Sequence, residues 1–132
     1  METKKCSEWA LLTAEELAIK MSALPLWSLY YENEVPKIER KFVTKGFQAG
    51  LDALSAAGAI AERLNHHPDF HLTGYNNVRI VIYTHSLSGL TELDLQLAST
   101  IDNEVKVLYS PKFLRENPAA MHTALEIPNN PA

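Results

Sequence analysis

Four of the five histidines in this chain fall between Glu62 and Asp94. His66 and His67 are adjacent and precede Pro68. His71 follows shortly after, and His85 closes the apolar run from Val78 to Thr84. Imidazole is the side chain best suited to moving protons near neutral pH. Two imidazoles at a helix end and one at a strand end could serve a single site if that helix end lies over that strand end. The plainer reading is a surface pair whose positive charge favours the C-terminal end of a helix dipole. Two features weigh against it: Pro68 stiffens the backbone directly after the pair, and His85 stands at the end of an element.

Other chemistries fit the same residues less well. His67 and His71 have the four-residue spacing of two ligands on one helical face, but Pro68 between them rules out a helix. The only cysteine is Cys6, and Glu62, Asp69 and Asp94 are scattered, so a zinc site is the second reading. No phosphate-binding loop, dinucleotide fingerprint or nucleophile elbow is present. A triad of Ser86, His85 and Asp94 fails because Ser86 and His85 are neighbours that would point opposite ways. His71 reads as exposed, and His122 in the tail has no evident partner. Asp94 is the fourth residue of Thr91-Glu92-Leu93-Asp94, a capping box, and from there it could also orient a histidine or an arginine. Glu62 reads first as a solvated helix residue.

The elements that must position these groups follow from periodicity. Thr13 and Glu16 form a capping box that opens a helix running to about Ser22. Leu26 to Glu32 is aromatic-rich and Lys37 to Val43 alternates, with Ile38, Arg40 and Phe42 on one face. The two make a hairpin around Asn33 to Pro36. Thr44 to Leu64 is helical, with Phe47, Leu51, Leu54, Ala57 or Gly58, Ala61 and Leu64 as its apolar stripe. Asp69 to Tyr75 and Val78 to His85 form a second hairpin turning at Asn76-Asn77, with Gly74 a candidate bulge. Thr91 to about Leu108 is the last helix, ended by Pro111.

This order predicts an α+β fold, a four-stranded antiparallel sheet with three helices packed on one face. Residues 1–108 form the domain. Residues 109–132, with four of the seven prolines, form an extended or partly disordered tail, with a helical turn considered around Ala119 to Leu125.

Composition narrows the classes. The chain has 132 residues, 46% hydrophobic and 21% charged, and a net charge of -4. That fits one soluble domain and argues against general nucleic-acid binding. A single cysteine allows no intrachain disulfide, and no apolar run approaches the roughly 18 residues of a membrane span. A cytoplasmic protein is expected.

Taken together, Glu62-x3-His66-His67-Pro68, Tyr75-Asn76-x-Val78, Thr84-His85 and Gly89-Leu90-Thr91-x-x-Asp94 resemble the signature of the pterin-4a-carbinolamine dehydratases. Trp27, Ile38-x-Arg40-x-Phe42 and the alanine-rich helix extend the likeness over about Leu11 to Ile101. The resemblance implies an antiparallel α+β fold, homodimers or homotetramers, and an enzyme, a hydro-lyase with no cofactor and no metal. The reaction it implies converts 4a-hydroxytetrahydropterin to quinonoid dihydropterin, which is reduced again in tetrahydrobiopterin recycling for aromatic amino-acid hydroxylases. Loss of water needs a proton donor for the leaving hydroxyl and a base for N5–H.

The resemblance assigns that work to His66, His67 and His85. His67 and His85 are the acid and base pair, in either order, and His66 binds and polarises. Glu62 and Asp94 orient the histidines. Asn65, Pro68, Phe70, Thr84 and Ser86 contact substrate, Phe70 by stacking where the family often has tryptophan, and the loop around Thr84 and Ser86 through its backbone. Asn65 stands where many relatives carry Asp, and the stretch before Tyr75 is one residue longer than the shortest family version. The alternative is a non-catalytic dimerisation cofactor or assembly module on the same fold, for which three histidines have no use.

Overall fold

A computed structural model describes residues 9–125. Helix α1 (Ala14–Lys20) begins at Thr13, whose hydroxyl accepts from Glu16 N at 3.1 Å while Glu16 Oε1 accepts from Thr13 N at 2.9 Å. The reciprocal box expected there is therefore formed. Strands β1 (Ser28–Glu32) and β2 (Val35–Val43) meet through Asn33 and Glu34, both at positive φ (51° and 67°). Two such residues match the right-handed twist of the flanking strands, so the hairpin turn is two residues long and β2 starts earlier than expected.

Strands β3 (Asp69–Thr73) and β4 (Asn77–Ile82) form the second hairpin. Its turn is Gly74-Tyr75-Asn76, and Asn77 already pairs with Thr73. The turn predicted at Asn76-Asn77 is displaced because Gly74 and Tyr75 take positive φ (53° and 61°) and reverse the chain first. The sheet is antiparallel in the order β1-β2-β4-β3. Register places Ile38 opposite Ile82, Arg40 opposite Ile80 and Phe42 opposite Val78. Paired residues share a face, so these six line the core side, and all are buried. Lys37, Glu39, Lys41 and Arg79 occupy the other side.

Helix α2 (Phe47–Leu64) lies on the core side with Gly50, Ala53, Ala57, Ile60 and Ala61 buried. The predicted stripe holds at Ala57 and Ala61, which are buried, but not at its start, where Phe47 and Leu51 are 52% and 39% exposed. Small residues, not large ones, mark the contact because the helix approaches the sheet closely. A Cβ on Gly50 would sit 3.0 Å from Leu72 Cδ1. The helix also starts later than Thr44, whose residue bridges to Tyr109 and whose hydroxyl donates to Gly46 O at 2.8 Å.

Helix α3 (Glu92–Glu104) stops short of Leu108. Val105 turns extended, and Val107 and Tyr109 carry on as buried, bridged backbone. Pro111, read as a terminator, is instead a first-turn residue of α4 (Pro111–Glu116), where its missing N–H costs nothing. Ser110 caps that helix, its hydroxyl accepting from Phe113 N at 3.0 Å. A 3-10 segment, Pro118–Thr123, follows, close to the helical turn considered in the tail.

As far as Leu125 the tail is therefore structured, not extended or disordered. Tyr109, Ala120 and Thr123 are buried in it. The anchor is Arg40, itself 2% exposed. It donates to Asp102 Oδ1 at 2.9 Å, to the Tyr109 hydroxyl, and to Thr123 Oγ1 at 3.2 Å. Trp27 Nε1 donates to both Asp102 oxygens at 3.0 Å. Burial pushes the Asp102 carboxyl above its ordinary range, an effect the Arg40 charge opposes. The rest of the expected tail, 126–132, lies outside the described residues. Among those described, no helix is long and apolar enough to cross a membrane.

Candidate active site

The site begins where α2 ends. Asn65 takes the left-handed conformation (φ 53°), a region asparagine tolerates better than most residues. Its N–H donates to Glu62 O at 3.2 Å, and the His66 N–H donates to Ala61 O at 3.0 Å. This paired closure turns the chain inward. His66 ends up buried at 4% exposure, while the next side chain, His67, is 60% exposed. Asn65 thus sets the backbone turn that carries the histidine pair.

His66 Nε2 meets Asp94 Oδ1 at 2.5 Å. Asp94 is fully buried and sits in the first turn of α3. Its other oxygen accepts from Thr91 N at 2.8 Å and from the Thr84 hydroxyl at 2.8 Å. Asp94 thus completes the expected capping box and also bonds to a histidine. A buried carboxylate needs such a set of donors, since an unpaired one would be costly to desolvate.

Thr84 differs from its expected part as a substrate contact. It is 1% exposed. Its N–H donates to Gly89 O at 2.8 Å, and its carbonyl accepts from Leu87 N at 3.2 Å. Its polar groups are thereby engaged inside the loop and on Asp94. One carboxylate accordingly ties the end of α2 to the loop after β4.

His67 and His85 stand on the outer side of that tie, each next in sequence to one of its members. His67 Nε2 pairs with Glu62 Oε2, so Glu62 is more than a solvated helix residue. His85 opens a 3-10 turn, His85–Leu87, and is exposed, as is Ser86. Its ring stacks on Tyr83 with centroids 4.0 Å apart and planes 29° apart. His67 and His85 are both exposed.

Phe70 does not present itself as a stacking platform. It pairs with Ile80 on the core side of the sheet, and a Cβ on Gly58 would lie 3.7 Å from its Cε2. Pro68 is half-buried and His71 exposed on β3. His122 contacts only Ala119 O through its ring, at 2.8 Å. Among the described residues, no three His, Cys, Asp or Glu side chains are grouped as a metal ion would require. A cavity of about 450 Å³ is lined by Arg40, Phe42, Tyr109 and Phe113, outside the histidine site. The Arg40 and Tyr109 polar groups on its wall already bond within the Asp102 and Thr123 network, so it reads as a gap between tail and sheet.

A family profile described as pterin 4 alpha carbinolamine dehydratase matches residues 10–104. The chain belongs to this family. It is 38% identical over 112 residues to the mitochondrial pterin-4-alpha-carbinolamine dehydratase 2 of Arabidopsis thaliana, which covers 81% of this chain and 59% of that one. A relative from Acidobacterium capsulatum with the same family name is 37% identical over 93 residues, 70% of this chain and 96% of its own. The crystal structure of a transcriptional coactivator/pterin dehydratase from Brucella melitensis superposes with a TM-score of 0.63 at 32% identity, over 71% of this chain and 97% of that one. The relatives are named for a dehydratase, a hydro-lyase activity. The matched span of this dehydratase-family chain ends at Glu104, so Tyr109 and Thr123, which bond to Arg40, lie beyond it.

Two features escaped the sequence. Tyr83 under His85 had no motif to mark it. The Arg40 network had one signal: a guanidinium on the apolar face of an alternating strand requires buried partners.

Proposed function

We propose that this protein dehydrates a 4a-hydroxytetrahydropterin to the quinonoid dihydropterin, in the recycling of tetrahydrobiopterin. The observation that carries the reading is Asp94, whose two oxygens engage His66 and Thr84. That arrangement supports a common site for His67 and His85, the residues that follow them.

The reaction balances without an external oxidant or reductant. An imidazolium donates a proton to the 4a-hydroxyl, and the C4a–O bond breaks with release of water. A neutral imidazole removes the proton from N5, and the N5–H bonding pair forms the C4a=N5 double bond. His67, paired with Glu62, and His85, stacked on Tyr83, serve as acid and base in either order. His66, held by Asp94, binds and polarises. Proton transfer by each positioned group contributes about a hundredfold or more. Asn65, Pro68 and Ser86 border the substrate. The enzyme works as a homodimer or homotetramer. A single cysteine supports a cytoplasmic location, which fractionation against a mitochondrial marker would check, since one relative is mitochondrial.

The test is dehydration of synthetic 4a-hydroxytetrahydropterin, followed by absorbance. The wild-type protein accelerates it, and His67→Ala and His85→Ala each lose about a hundredfold in rate while staying folded. No acceleration over buffer by folded protein would remove the proposal. Wild-type rates in both variants would move the chemistry elsewhere.

A further inference from the structure

The side chain beneath His85 belongs to no motif, yet it has a defined geometry. Tyr83 directly follows β4, and its ring lies under the His85 imidazole, with centroids 4.0 Å apart and planes 29° apart. The Lys37 ammonium sits over the same Tyr83 ring, 4.3 Å from its centroid. Lys37 is held in turn by Glu32 Oε1 at 2.6 Å, and its side chain is only 13% exposed. Glu32, Lys37, Tyr83 and His85 thus form one continuous chain of contacts. It runs from the β1–β2 hairpin to the 3-10 turn that carries His85.

We propose that Tyr83 is a positioning residue for His85, with Lys37 bracing the tyrosine ring. The inference rests on the proposed role of His85 in proton transfer. An imidazole donates and accepts protons in its ring plane, so whatever fixes that plane fixes the direction of transfer. Stacking against Tyr83 covers one face of the imidazole and leaves its edges and the other face for substrate. Without the stack, an exposed side chain on a one-turn 3-10 segment samples several rotamers, and only a fraction of them aim a nitrogen at the substrate. The Lys37 charge over the π face adds attraction that restrains the tyrosine ring.

The test compares steady-state rates of pterin dehydration in Tyr83→Leu and Tyr83→Phe. Leucine keeps apolar contact with the core but cannot stack, and phenylalanine keeps the stack. Tyr83→Leu should lower kcat about tenfold with KM within about twofold, while Tyr83→Phe stays within about twofold of wild type in both. Lys37→Met should lower kcat about two- to threefold. In a His85→Ala background, Tyr83→Leu should cause no further loss, because its effect passes through the imidazole.

Thermal midpoints separate a folding defect from lost orientation. Tyr83→Leu with wild-type kcat, beside an inactive His85→Ala, would overturn this inference alone. Multiplicative losses in the double variant would overturn it too. Wild-type turnover in His85→Ala would overturn both this inference and the assignment on which it rests.

Discussion

Among the described residues two carboxylates are buried, and their surroundings differ. Asp102 is met by a guanidinium and an indole, and Arg40 passes the contact on to Tyr109 and Thr123. Every member named there belongs to the interior. Asp94 is met by an imidazole, two threonine groups and its own helix start. Its partners are flanked by the exposed imidazoles of His67 and His85. The first cluster closes on itself and ties the tail to the sheet. The second ties two loops and leaves two exposed imidazoles just outside the tie. Burial of an ionisable group is therefore no guide to function here. What distinguishes the two clusters is whether the neighbouring residues reach the surface.

The largest effect should come from breaking the closed cluster. Arg40→Met leaves Asp102 buried without its charged partner, and loss of one member of a buried pair costs about 3–5 kcal/mol. Urea unfolding measures this, and the fraction that stays folded should retain its turnover. A stability loss under about 1 kcal/mol would mean that Asp102 is already neutral or reaches water.

The two clusters also differ in how readable they were. Asp94 was named from its spacing to Thr91, because a capping box is local: four consecutive residues decide it. Its bonds to His66 and Thr84 span 28 and 10 positions: the family likeness implied only that it orients the histidines, and the bond to Thr84 was not expected. Arg40 was placed on the correct face by period-two alternation, but its partners are 62 to 83 residues away. No local rule reaches that far. The stripe of α2 failed at its start for a different reason. Hydrophobic periodicity weights large side chains such as Phe47 and Leu51, whereas the buried face also uses Gly50 and Ala53, small residues that the stripe left out. The tail was misread because proline is taken as a stop, although Pro111 after a capping serine is a start.

Breaking the open cluster should have a smaller effect on stability and a larger one on rate. Asp94→Ala removes the cap and leaves His66 and Thr84 without their shared acceptor. About 2–3 kcal/mol of stability should be lost. Turnover should fall at least about tenfold, as the two loops lose their common anchor. Equal turnover in the folded fractions of Asp94→Ala and Arg40→Met would erase the distinction drawn between the clusters. A milder probe of the closed cluster is Tyr109→Phe, which removes only the hydroxyl that Arg40 and Thr123 share. It should cost about 1 kcal/mol in the same unfolding measurement and leave the rate unchanged.

The smallest structural perturbation sharpens the contrast most. Glu62 and His67 form a hydrogen-bonded pair at the surface, with side chains 77% and 60% exposed. Exposed pairs add little to stability, because water solvates both partners and the side chains lose freedom on pairing. Glu62→Gln should therefore leave the unfolding midpoint within experimental error. Its effect belongs to the rate: an amide can still bond the ring but no longer stabilises the imidazolium that proton transfer forms. A fall of several-fold in kcat is expected. An unfolding midpoint that drops while kcat stays fixed would invert the assignment and make this rim pair a structural one.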